Sequence, residues 1–76
     1  MNWQKYIVSN PDVQHGKPVI SGTRITVEMI IEKLAEGESI GQIPESHPHL
    51  TRESVFACLS YAADSHKNEL YFPHTQ

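Results

Sequence analysis

The segment "GKPVISGTRITVEMIIEKLAEG", residues 16–37, holds the two transitions that organise this chain. Pro18-Val19-Ile20 is a short β-prone run, and Ser21-Gly22 after it is a turn signal. Residues 24–27, "RITV", alternate polar and apolar side chains and predict a further short strand. Thr26 is also a good helix N-cap. From it Val27, Ile30, Ile31, Leu34 and Ala35 follow the spacing of a single apolar helix face, and Gly37 supplies the stop. Glu28, Glu32 and Glu36 recur at i+4 on the other side and form an acidic stripe.

Working outward, Tyr6-Ile7-Val8 is another β-prone run, ended by the turn residues of Ser9-Asn10-Pro11-Asp12. Runs this short do not form a sheet alone. They pair with one another as a small ribbon, or with the same strands of a second chain. Downstream, Ser39 and Gln42 have the spacing of a capping box, with Ile40 and Ile43 as core contacts. Pro44 requires that second helix to be short, kinked or partly 3-10. After the turn "HPHL", Thr51 is the N-cap of a third helix, with Leu50 and Val55 placed as a hydrophobic staple. Val55, Cys58, Leu59, Ala62 and His66 share its predicted apolar face, Phe56 and Ala63 lie at the edge, and the helix is expected to reach Ser65. The expected organisation is one mainly α domain over 1–76: a β-ribbon arm (1–25), a trihelical core (26–66) and a tail (67–76).

Seventy-six residues leave room for one core. A chain of this size buries only about 60% of the surface its unfolded form exposes, so support from a partner chain is expected and a homodimer is the simplest form. Cys58 is the sole cysteine, which excludes an internal disulfide and fits a reducing, cytoplasmic setting. No leader or membrane span is expected. The net charge of −3 excludes a protein that coats nucleic acid by charge alone. Its distribution is uneven. Lys5, Lys17 and Arg24 against Asp12 make residues 1–27 basic, whereas Glu28, Glu32, Glu36, Glu38, Glu45 and Glu53 against Lys33 and Arg52 make residues 28–53 acidic.

The order of a short helix, a tight turn and a longer helix matches a helix-turn-helix unit. In that reading Thr51, Arg52 and Ser54 enter the major groove, Arg52 meeting guanine or phosphate. Lys5, Lys17 and Arg24 supply phosphate contacts, in two copies per dimer. The competing reading is a trihelical bundle that never touches DNA. No metal site is expected, because the proline between His47 and His49 splays them and no further ligand completes a set. No catalytic set stands out, Cys58 falls on an apolar helix face, and "GKPVISGT" is not a P-loop, so the chain is expected to be a non-enzyme without a cofactor. Arg24 is expected to be an internal tie to Glu28 or Asp12; a phosphate partner would make it functional instead.

Gly16, Lys17, Pro18, Ile20, Gly22, Thr23, Arg24 and Val27, with Gly37, Pro48, Leu50 and Thr51 downstream, resemble the bacterial family called domain of unknown function 433. The resemblance covers about Tyr6 to Ala63. It implies a homeodomain-like trihelical fold and the antitoxin half of a Vap-type toxin–antitoxin pair, whose small protein neutralises a PIN-like nuclease toxin and whose complex often binds operator DNA. Gly41 and Pro44 depart from the family's usual second helix. Toxin contact would fall to Leu70, Tyr71 and Phe72 as apolar anchors, or to the acidic face of the first helix. Beside this antitoxin-like reading stands a protein-interaction adaptor that has no DNA binding.

Overall fold

A computed structural model describes the backbone of residues 1–70 and the side chains of residues 1–67. Two short strands, β1 (Ile7–Val8) and β2 (Val19–Ile20), pair antiparallel with Ile7 opposite Ile20 and Val8 opposite Val19. Three helices follow: α1 (Val27–Ala35), α2 (Gln42–Ser46) and α3 (Arg52–Leu70). The expected β ribbon and three helices all form.

The third strand does not. Residues 24–27 contribute one isolated bridge, Val19 to Thr26, beside hydrogen bonds from Ile20 N to Ile25 O and from Val27 N to Pro18 O. The helix start is the reason: Thr26 Oγ1 accepts from Met29 N at 3.0 Å, so the chain turns into α1 before a ladder can extend. Between β2 and this bridge, Gly22 takes φ +80° and Thr23 N donates to Ile20 O at 2.9 Å. A type II turn needs positive φ at that position, which is why glycine stands there. Thr23 Oγ1 tightens the same turn, donating to Ile20 O and accepting from Ile25 N.

Both downstream caps form as reciprocal pairs. Ser39 N donates to Gln42 Oε1 at 2.7 Å, and Gln42 N donates back to Ser39 Oγ at 3.1 Å. Thr51 Oγ1 accepts from Ser54 N at 3.1 Å, and Thr51 N donates to Ser54 Oγ at 3.3 Å. The second pair is a capping box with serine in the place usually held by Glu or Gln. α2 is short, as expected. Pro44 withholds a donor, and Pro48 disfavours helical backbone at His47, which leaves the helix at φ −131°. α3 continues to Leu70 rather than stopping near Ser65, because no glycine or proline interrupts it.

One core joins all of these elements: Ile7, Ile20, Val27, Ile30, Ile43, Leu50, Val55, Ala57 and Cys58 are buried together. Leu50 and Val55 lie in it as the staple requires. The ribbon is therefore not an arm. Ile7 and Ile20 are core residues, and Trp3 is fixed to α3 by a 2.7 Å hydrogen bond from Nε1 to Asp64 Oδ2 and by an edge-on contact with Tyr61, ring centroids 4.8 Å apart. Residues 1–25 and the helices fold as one body.

Candidate functional site: the outward face of the third helix

α3 presents two chemically different faces. Ser54, Val55, Ala57 and Cys58 point inward and are buried, with Tyr61, Ala62 and Ser65 half-buried on the same side. Arg52, Phe56, Leu59, Ala63 and His66 point outward at steps of four, three, four and three residues. Phe56 is 45% exposed and Leu59 36% exposed, so two large apolar side chains stand in solvent one turn apart. Leu59 was expected on the buried face. The inward stripe instead runs through Ala57 and Tyr61, and the small Ala57 lets α3 approach its neighbours where a leucine would not fit.

The expected DNA-contact residues differ in exposure and engagement. Ser54 is 6% exposed and its hydroxyl is engaged in the cap with Thr51, so it does not face a groove. Thr51 is exposed and Arg52 is exposed at the first turn of α3, its guanidinium lying beside Gly41. Lys5 follows Trp3, which sits on Tyr61, nine residues and about 14 Å along α3 from Arg52. Lys17 is paired with Glu28, Nζ to Oε1 at 3.1 Å.

That pair corrects the role of Arg24. Among the described residues its guanidinium has no ion pair with either Glu28 or Asp12, and Glu28 pairs with Lys17 instead. Only the Arg24 carbonyl is tied, by Gln14 Nε2 at 3.0 Å. Gln14 belongs to a turn that is not among the expected elements. Gln14, His15 and Gly16 all carry positive φ, of 50°, 57° and 82°, in a left-handed turn closed by Gly16 N to Val13 O. Left-handed backbone costs roughly 1–2 kcal/mol at a residue other than glycine, and the Gln14 bond to Arg24 O helps to hold the turn in place.

Beside the outward stripe lies a groove of about 400 Å³ between the start of α1 and the second half of α3. Pro18, Val27, Tyr61 and Ala62 give it apolar walls, and the exposed Lys17, Glu28 and His66 also line it. Its size suits one or two side chains of another protein. Cys58 opens into nothing comparable. It is buried, and burial pushes its thiol pKa up from 9.0 to about 11, away from nucleophilic chemistry at neutral pH. Among the described residues no three His, Cys, Asp or Glu side chains are grouped as metal ligands. Of the expected partner anchors, Leu70 ends α3, and Tyr71 and Phe72 lie outside the described residues.

The model of the family "Protein of unknown function (DUF433)" matches residues 7–62, most of the chain. This chain belongs to the DUF433 family. The matched DUF433 region starts at β1 and ends inside α3, so it takes in the Gly22 turn, both capping boxes and the exposed Phe56 and Leu59. The chain is also similar to the uncharacterized protein y4eO of Sinorhizobium fredii, at 32% identity over 59 residues. That match covers 78% of this DUF433 chain and 27% of y4eO, so the chain spans about a quarter of its relative's length. No solved structure matches.

Proposed function

We propose that this DUF433 protein is an antitoxin-like interaction module that acts by covering another protein and not by catalysis. The observation that carries protein contact is the outward face of α3. Where a helix-turn-helix places its base-reading side chains, this helix offers Arg52 and then exposed Phe56 and Leu59, with Ser54 turned inward. Exposed aromatic and aliphatic side chains beside an arginine are the composition of a protein interface. The partner's class, a PIN-like nuclease toxin, comes from the family resemblance alone. Glu32 and Glu36, both exposed on α1, suit a basic substrate groove on such a partner.

Co-expression with the product of an adjacent PIN-like reading frame tests the proposal. It expects a complex that survives gel filtration and a nuclease that loses activity within it. A nuclease that stays active and elutes alone would sink the toxin reading.

Operator binding is the second reading, and a specific observation favours it: Arg24 and Arg52 are exposed cations outside the ion pairs of the described residues. In a homeodomain-like arrangement α2, the turn at residues 47–51 and α3 would dock on a duplex, with Arg52 at the base edges and Arg24 on phosphate. A gel-shift titration on the upstream region at low salt separates the readings. The protein-contact reading expects no sequence-specific shift from the free chain.

A further inference from the structure

We infer that the outward face of α3 is the homodimer seam, on which a second copy of this chain lays its own α3 antiparallel. The inference rests on the reading of that face as a protein surface and names its occupant.

Three observations select a second copy. The outward stripe Phe56, Leu59, Ala63 and His66 has the alternating three- and four-residue spacing of a two-helix seam, whereas the inward face of the same helix is filled by its own core. Such a stripe fits best against another helix of the same kind. Second, the residues along one side of the stripe are Glu53, Ser60 and Lys67, spaced by seven and all at least partly exposed. Glu53 and Lys67 lie about 21 Å apart on one helix, too far to meet. A two-fold axis near Ser60 brings Glu53 against Lys67 of the partner subunit and Lys67 against Glu53 of the partner subunit. A parallel arrangement makes neither contact. Third, the centre of the seam holds Ser60 and Ala63, small enough for close approach, while Phe56 and Leu59 fill the space on either side.

In this pairing Leu59 packs beside the partner's Ala63, and Phe56 beside the partner's His66. The two helix dipoles run in opposite directions, which removes the repulsion of a parallel pair. α3 is already ordered by its inward packing through Val55, Ala57 and Cys58, so a seam of only two heptads has little ordering cost to offset. The contact remains small for a permanent dimer, which sets the expectation of reversible self-association. The seam also accounts for how a chain of 76 residues tolerates Phe56 and Leu59 in the open, and it leaves Glu32 and Glu36 on α1 free for a different partner.

Sedimentation velocity of the free chain from about 5 to about 500 µM tests the inference. A concentration-dependent shift to twice the monomer mass is expected, and Phe56→Glu should weaken it at least about tenfold while the circular dichroism spectrum is unchanged. Leu59→Lys is the second variant and should do the same. Glu53→Lys and Lys67→Glu should each weaken dimerisation about fivefold, and mixing the two variants in equal amounts should restore it, because each copy then meets opposite charge. A chain that stays monomeric throughout overturns the inference. So does a dimer that survives both Phe56→Glu and Leu59→Lys, or a mixture that fails to recover. The protein-contact reading fails separately: it falls when Phe56→Glu and Leu59→Lys change neither self-association nor capture of the nuclease.

Discussion

The inward and outward faces of α3 share one backbone and obey opposite rules. Inward, Val55, Ala57 and Cys58 are fully buried in one core with residues of the ribbon and α1. Outward, Phe56 and Leu59 are larger than anything their surroundings require. Two large apolar side chains adjacent in solvent on one helix face form the kind of patch that suits an external contact. The inward face therefore explains the fold, and the proposed contact falls to the outward face.

Substitutions can break this contrast in order of their size. Ile43 is fully buried where α2 meets the core, so Ile43→Ala should cost about 2–5 kcal/mol in urea unfolding. Phe56→Ala, in the monomer at low concentration, should cost less than about 0.5 kcal/mol. Equal losses at the two positions would erase the distinction between the faces.

The next effect concerns pH on the inward side. The Cys58 thiol has its pKa raised in the folded state, so its contribution is fully present below pH 9 and is lost as pH rises towards 11. Stability of the native chain should fall by about 3 kcal/mol across that window beyond any fall seen in Cys58→Ala, as measured by denaturant midpoints at several pH values. Parallel curves for the two proteins would show that burial at Cys58 does not set its ionisation.

Smaller effects sharpen the role of the caps. Ser54→Ala removes one half of the reciprocal pair with Thr51 and should cost about 1 kcal/mol of stability. Lys17→Ala breaks an ion pair whose partners are both more than half exposed, and should change stability by less than about 0.5 kcal/mol. Thermal unfolding distinguishes the two: a melting temperature that moves more for Lys17→Ala than for Ser54→Ala contradicts the assignment of structural and superficial roles.

The features legible in the sequence were those with local causes. Thr26, the Ser39–Gln42 pair and Thr51 state their capping roles by residue type and spacing, and Gly22 states its turn. The expected strand at 24–27 failed because alternation over four residues competes with an N-cap inside the same window, and the cap prevailed. For Arg24 the sequence offers a carboxylate four residues on, but Glu28 is also within reach of Lys17 and pairs with it, a choice that depends on how the 9–18 loop returns. The left-handed turn at Gln14–Gly16 is only faintly legible, since Gly16 and, more weakly, His15 favour positive φ but Gln14 does not. A leucine at helical spacing from Val55 and Cys58 reads as core, yet Leu59 stands outward. In the structure the inward stripe runs instead through Ala57 and the half-buried Tyr61, on which Trp3 packs. The candidate site was therefore hidden by the same periodicity that revealed the helix.

The central claim is that the outward face of α3 meets protein and does not read bases. Fluorescence anisotropy of labelled upstream duplex at low salt, titrated with the wild-type chain and with Arg52→Ala and Phe56→Glu, tests it most directly. The account predicts weak or absent binding, equal for the upstream and scrambled duplexes and unchanged by either substitution. Tight binding to the upstream duplex alone, lost in Arg52→Ala, would contradict it.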